Sequence, residues 1–443
     1  VDGSGQPARL ADVAFIDGVI TEVAAPGEIS TAHAHQHIKA DGLLVTPGWV
    51  DVHTHYDAQA TWDPWMTPSS WHGVTTAVMG NCGVGFAPAV PERHQWLIEL
   101  MEGVEDIPGT ALYEGIEWGR WESFPEYMDY IASRRYSLDI GAQIAHGSLR
   151  YYVMGERGRM NEEATPDDLR QMSQLVTEAV QAGALGFSTS RTIGHRALDG
   201  SPVPGTFAPD QELSAIADAM ARAGRGVFEM IPAGTVGKLE RLGGERTTPE
   251  AEVKLMADFS RQSGRKVTFT LVQSPDYAPD TWERLLDMVV SANQTGAQLY
   301  PQVSSRPIGL ASGLSGYHAF QRRPTYMKLA HLSLADRARE MAKPEIKAAI
   351  MSETDVLVDQ PGSMANMYQL FQTAAMFLYP LADPVDYEPD PSEMLGSRAA
   401  ATGQDVLDLL YDYMLEQDGA AMCALMGGPN VHDSQEVLRK MLI

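Results

Sequence analysis

The chain has 443 residues, 44% hydrophobic and 21% charged, enough for one large α/β barrel with an appendage or for two or three ordinary domains, and too apolar for global disorder. Its formal net charge of −25, from 33 Lys and Arg against 58 Asp and Glu, repels phosphate polymers and anionic lipid, so neither nucleic acid nor a membrane is expected as a partner. Cys82 and Cys423 form no CxxC, which excludes a disulfide framework and makes a reducing cytoplasm the default.

No apolar run reaches the length of a bilayer span, and no signal peptide is expected. The first residue is Val1 rather than Met, from which a trimmed N-terminus is expected. "DVAFIDGVITEVA", residues 12–24, reads as a hairpin around the turn pair Asp17-Gly18. "GLLVTPG" follows as a third strand, so residues 1–47 are expected to form part of a small β-sandwich.

The apolar run "WVDVHTH" opens a second region, followed by "TTAVMGN" and "LDIGAQIAH". From about residue 165 to 305 a punctuation recurs. "TPDD", "APDQ", "TPEA" and "APDT" mark helix starts, each with Pro at the first helical position and acidic residues in the first turn. Each helix stops near a glycine (Gly183, Gly224, Gly264, Gly296) and runs into "ALGFSTS", "GVFEMI", "KVTFTLV" or "AQLYPQV". Four αβ units in succession imply a parallel sheet with right-handed crossovers. Seven strands result. A (β/α)8 TIM barrel, the α/β fold this pattern predicts over residues 48–443, needs an eighth. After residue 305 the chain reads as loops and helices, so the eighth strand is expected beyond Ile443.

In such a barrel reactive side chains stand at the C-terminal ends of strands. His53 and His55 stand at the end of the first, and their i, i+2 spacing puts both on one side. Neutral imidazoles held that way suit a divalent metal such as zinc, although a bare His-x-His is common among ordinary histidines. Cys82 ends the second strand between Gly80 and Gly83. A lone cysteine is usually a small buried hydrophobe; beside His-x-His on the neighbouring strand it reads as a ligand.

"PGWVDVHTHYDAQATWDP" and "GVTTAVMGNCGVGFAP", with "AHGSLRYYVMG", "GALGFSTS" and "LYPQV", resemble the amidohydrolase superfamily in its N-acyl-D-amino-acid deacylase (D-aminoacylase) branch. The resemblance implies that His53, His55 and Cys82 are metal ligands. It also implies a strand-eight aspartate as general base; no matching motif occurs before Ile443, so the catalytic residue is expected outside this chain. The family's histidines on strands five and six are replaced by "GVFEMIPAG" and "TFTLVQSP", so one metal, zinc, fits better than two. Glu229 is either a replacement ligand or a satisfied polar group. In "STSRTIGHRALDG", Arg191, His195 and Arg196 form either a solvated basic loop or a clamp for a substrate carboxylate. His146 is expected near the pocket as a substrate contact or as support for the ligands. Tyr300 is similarly placed, or is barrel packing.

The activity so implied is hydrolysis of a non-peptide C–N bond, as in the deacylation of an N-acyl amino acid, through a metal-activated water. The D-preference comes from the resemblance alone. Two alternatives stand: a cyclic-amide hydrolase of the hydantoinase or dihydroorotase kind, and a non-catalytic barrel that binds a ligand. With its barrel unclosed, the chain is expected to show little activity by itself.

Overall fold

The computed structural model describes residues 1–360, 362–427 and 435–442. Strands β1 (Asp12–Ile16) and β2 (Val19–Ala24) pair antiparallel. Asp17 and Gly18 between them have φ of 50° and 78°, which the type I′ hairpin turn requires. The third strand expected at residues 42–48 is not formed. Leu43, Leu44 and Val45 are exposed, and an apolar run becomes a strand only where a neighbour takes its backbone hydrogen bonds. The hairpin is thus a two-stranded sheet of its own, with no second layer among the described residues to make it a sandwich.

The seven strands read from the sequence follow: β3 (Trp49–Asp51), β4 (Val74–Met79), β5 (Asp139–Ala145), β6 (Gly186–Ser190), β7 (Val227–Ile231), β8 (Lys266–Thr270) and β9 (Leu299–Gln302). They form one parallel sheet in sequential order. The helices Pro166–Ala182, Asp210–Ala223, Pro249–Ser263 and Thr281–Gln294 connect its second half. The first of them begins with a reciprocal cap: Asp168 N–H donates to the Thr165 hydroxyl while the Asp168 carboxylate accepts from Thr165 N–H. Gly183, Gly224 and Gly264, all left-handed, end three of the four. Proline takes the first helical position in only two. Pro209 is itself the N-cap, and Pro279 lies ahead of a helix capped by Asp280.

Side chains alternate across the sheet. Phe187, Phe228 and Phe269 face outward into the helix layer and are fully buried; the Phe187 and Phe228 rings lie 5.1 Å apart, and Phe228 meets Phe259 of the helix Pro249–Ser263 at 5.9 Å. Ser188, Glu229, Thr268 and Tyr300 are in register on the inner face. The sheet curls far enough for its two edges to meet at their C-terminal ends, where His53 Nδ1 lies 2.8 Å from Gln302 Oε1. Among the described residues no eighth strand lies between β9 and β3.

The region after residue 305 departs from the expected loops and helices. β10 (Ile308–Gly313), β11 (Leu378–Pro380) and β12 (Met422–Gly427) form an antiparallel sheet in the order β10-β12-β11. It carries a second core that includes Phe320, Phe371, Tyr411, Met414 and Cys423. These strands are short, and β10 finds its partner more than a hundred residues away, so local periodicity does not reveal them. No described helix is long and apolar enough to cross a membrane.

Candidate metal centre

The site stands where β3 and β4 end. His53 and His55 lie just past β3, and Cys82 lies just past β4. Three left-handed residues shape the second turn: Gly80 with φ 80°, Cys82 with φ 57° and Gly83 with φ 71°. For a cysteine that conformation costs roughly 1–2 kcal/mol, and strain of this kind persists only where surrounding contacts fix it. Here they do. The Cys82 N–H donates to Glu229 Oε2 at 3.3 Å, and the Gly83 N–H donates to Ser188 Oγ at 3.1 Å. Asn81 ties the turn to the histidine segment, since its Nδ2 donates to the carbonyls of Thr54 at 3.0 Å and Val78 at 2.9 Å. Gln143 Nε2 in turn donates to Asn81 Oδ1 at 2.8 Å.

The result is a cluster in which one ligand atom from each of His53, His55 and Cys82 lies within 4.8 Å of the other two. His53 Nε2 is 3.1 Å from Cys82 Sγ. Gln302 accepts from His53 Nδ1, so the Nε2 lone pair is the one turned to the thiol. The imidazole rings of His53 and His55 cross edge to face, 5.5 Å between centroids. Two carboxylates close in. Glu229 is fully buried, with Oε1 unpartnered and 3.9 Å from His53 Nδ1. Glu105, at the end of the helix His94–Glu105, places Oε1 3.2 Å from His55 Nε2.

Burial sets the protonation of these groups. It pushes Glu229 up to about 8 and Glu105 up to about 7. Asp57, two residues beyond His55, rises to about 7 from burial, with Glu105 adding to the rise against two backbone hydrogen bonds. The Cys82 thiol is held well above its ordinary value by burial and then by Glu105, Glu229 and Asp57. Burial takes His55 down to about 4 and keeps it neutral. Four acidic groups are therefore crowded around neutral imidazoles, and their anionic forms are opposed only by desolvation and by one another. A divalent cation removes that opposition. Neutral nitrogen, thiolate sulfur and carboxylate oxygen form the donor set zinc takes, and an unpartnered buried oxygen of Glu229 faces the cluster. The residues fit a metal.

Of the other residues singled out in the sequence, His195 stands beside this cluster. Its pKa falls to about 3 through burial and then through His55 and His53, and its Nδ1 meets Ser190 Oγ at 3.0 Å. Arg191 and Arg196 do not form a clamp. Arg191 Nε donates to both oxygens of buried Glu252, at 3.1 and 2.9 Å, and its Nη1 donates to Ala208 O. Arg196 donates to the carbonyls of Ile193 and Gly200. A guanidinium in a half-buried loop is drawn to the buried acceptors it can satisfy, and here those are structural.

His146 lies on the outer side of the sheet. Its Nδ1 meets outward-facing Thr189 at 2.9 Å, its Nε2 meets Glu212 at 2.8 Å, and Arg150 also donates to Glu212. With both nitrogens engaged and no exposed surface, it has nothing to offer a substrate or a ligand residue. Tyr300 lies on the inner face, half exposed, with Lys266 Nζ 5.5 Å from its ring centre. Gln302, two residues on, is the group of that strand which reaches His53. Gln302, Asn81 and Glu105 carried no role in the sequence reading. Asn81 sits inside the quoted "GNCG" and Gln302 at a strand end, so both had a positional signal; Glu105 had none.

The model of the amidohydrolase family matches residues 36–370. The chain belongs to the amidohydrolase family. Among curated relatives, a D-aminoacylase of Alcaligenes xylosoxydans xylosoxydans is 35% identical over 190 residues, 43% of this chain and 35% of that protein. An N-acyl-D-aspartate deacylase of the same organism is 33% identical over 189 residues, 43% of this chain and 34% of that protein. The matched stretch thus spans about a third of the length of these two relatives. Among solved structures, N-acyl-D-glutamate deacylase from Bordetella bronchiseptica, complexed with zinc and a phosphonate inhibitor, aligns over all of this chain and 71% of its own length, with a TM-score of 0.56 at 19% identity. At that identity the likeness is one of fold.

Proposed function

We propose that this amidohydrolase is a metal-dependent hydrolase of non-peptide C–N bonds, acting on N-acyl amino acids. The observation that carries the reading is the convergence of His53, His55 and Cys82 at the ends of two adjacent parallel strands, with Glu229 and Glu105 facing them. The deacylase relatives supply the substrate class, an N-acylated D-amino acid. The count is proposed as one zinc, held by His53, His55 and Cys82. When bound, the ion supplies a Lewis acid and lowers the pKa of a water toward neutrality.

The chain's own residues do the rest. Gln302, accepting from His53 Nδ1, fixes the tautomer that leaves Nε2 free to ligate. Asn81, tied to both Thr54 and Val78, keeps the histidine and cysteine turns at constant separation. His195, neutral through burial, is placed to meet the substrate as an uncharged partner. Arg191 is committed to Glu252, so a substrate carboxylate is met by another group. No described residue is assigned as general base. Both cysteines are free and buried, which suits a reducing compartment. The test is an assay of the zinc-loaded protein on matched N-acetyl-D- and N-acetyl-L-amino acids. Release of free D-amino acid, abolished in Cys82→Ser, is the expected result; no release from either series, in a protein that holds zinc, overturns the substrate assignment.

A further inference from the structure

Glu105 is a residue that neither the His-x-His motif nor the "GNCG" motif contains, and three observations mark it out. It is the last residue of the helix His94–Glu105, where the helix dipole disfavours a negative charge by roughly 0.3–1 kcal/mol. It has no Lys or Arg partner among the described residues, its contact being His55 Nε2 at 3.2 Å. And its charge reaches the whole cluster, raising Cys82, Glu229 and Asp57. A carboxylate at the wrong end of a helix, largely withdrawn from water and surrounded by further acids, is stable as an anion only against a cation. The second pointer is Glu229 Oε1, a fully buried oxygen without a hydrogen-bond partner on the opposite side, 3.9 Å from His53 Nδ1.

We infer that Glu105 is a ligand of the metal centre, supplied by the helix that follows β4, so that a carboxylate completes the set begun by His53, His55 and Cys82. This rests on the metal-site reading above and adds a residue to it. The alternative geometry has Glu105 accept from His55 Nε2–H and orient that ring. The two differ chemically. A ligand needs the negative oxygen, whereas an orienting acceptor can be an amide.

The test is titration of the 443-residue chain with Co2+ alone, following the thiolate-to-cobalt charge-transfer band for Cys82 and the visible ligand-field bands for the coordination sphere. Wild type is compared with Glu105→Gln and Glu105→Ala, each checked for folding by circular dichroism. As a ligand, Glu105 predicts that both variants keep the thiolate band, bind Co2+ at least tenfold more weakly and show altered ligand-field bands. Wild-type affinity and spectrum in Glu105→Gln, with loss confined to Glu105→Ala, overturns the proposal in favour of an orienting role. Unchanged behaviour in both variants overturns it outright. A wild-type chain with no thiolate band removes the metal reading itself, and the proposal with it.

Discussion

Two buried histidines outside the metal centre show what tertiary context does to one residue type. His146 shares a fully buried acceptor, Glu212, with Arg150. Burial pushes the Glu212 carboxyl up, but the hydrogen bonds and charges of His146 and Arg150 outweigh it and bring the group to about 2. His318, in the second core, has no carboxylate to offset burial. Its Nδ1 accepts from Phe320 N–H, Nε2 is unpartnered, and burial followed by Arg337 takes its pKa down to about 3. A histidine depressed on folding contributes stability above its unfolded pKa of about 6.5 that is lost as pH falls toward the folded value. By that linkage His318 should withdraw about 2 kcal/mol between pH 8 and pH 5. Urea melts at the two pH values, for wild type and His318→Gln, check this: the acid loss should shrink in the variant, and an equal loss in both would refute the assignment.

At the scale of elements, the parallel sheet was readable because each strand is a short apolar run between a helix-stopping glycine and a turn, and the side-chain period of two then fixed what stands at its end. That is why His53, His55 and Cys82 could be named from spacing. The partners of long side chains could not. Arg191 reaches Glu252 and Glu105 reaches His55 across distances that only the packed helices define. The run at residues 42–48 has the pattern of a strand but no edge to pair with, while β10 and β12 pair across a long interval. Close approach of strands gives a separate prediction. A Cβ on Gly186 would lie 1.8 Å from Val227 O on the adjacent strand, whereas one on Gly309 would meet nothing nearer than 3.5 Å. Gly186→Ala should therefore cost about 3 kcal/mol through forced separation of β6 and β7, and Gly309→Ala less than about 0.5 kcal/mol. Denaturation midpoints compare the two; equal shifts would mean that the β6–β7 contact yields freely.

For the whole molecule, a net charge of −25 and a pocket of acids around neutral imidazoles belong to the same economy of charge. The surface carboxylates are solvated, and the few that are buried either meet an arginine, as Glu212 and Glu252 do, or converge on His53, His55 and Cys82. That division was partly legible in the sequence: the ligand motifs were, and the carboxylates facing them were not, because acidity around a site depends on which helix end the fold delivers there.

The measurement that tests this account most directly is metal content per chain by elemental analysis, made on wild type, His55→Ala and Cys82→Ser purified in parallel. The account predicts close to one equivalent of zinc in wild type and its loss in both variants. A wild-type protein that holds no metal, or variants that keep a full equivalent, would contradict it.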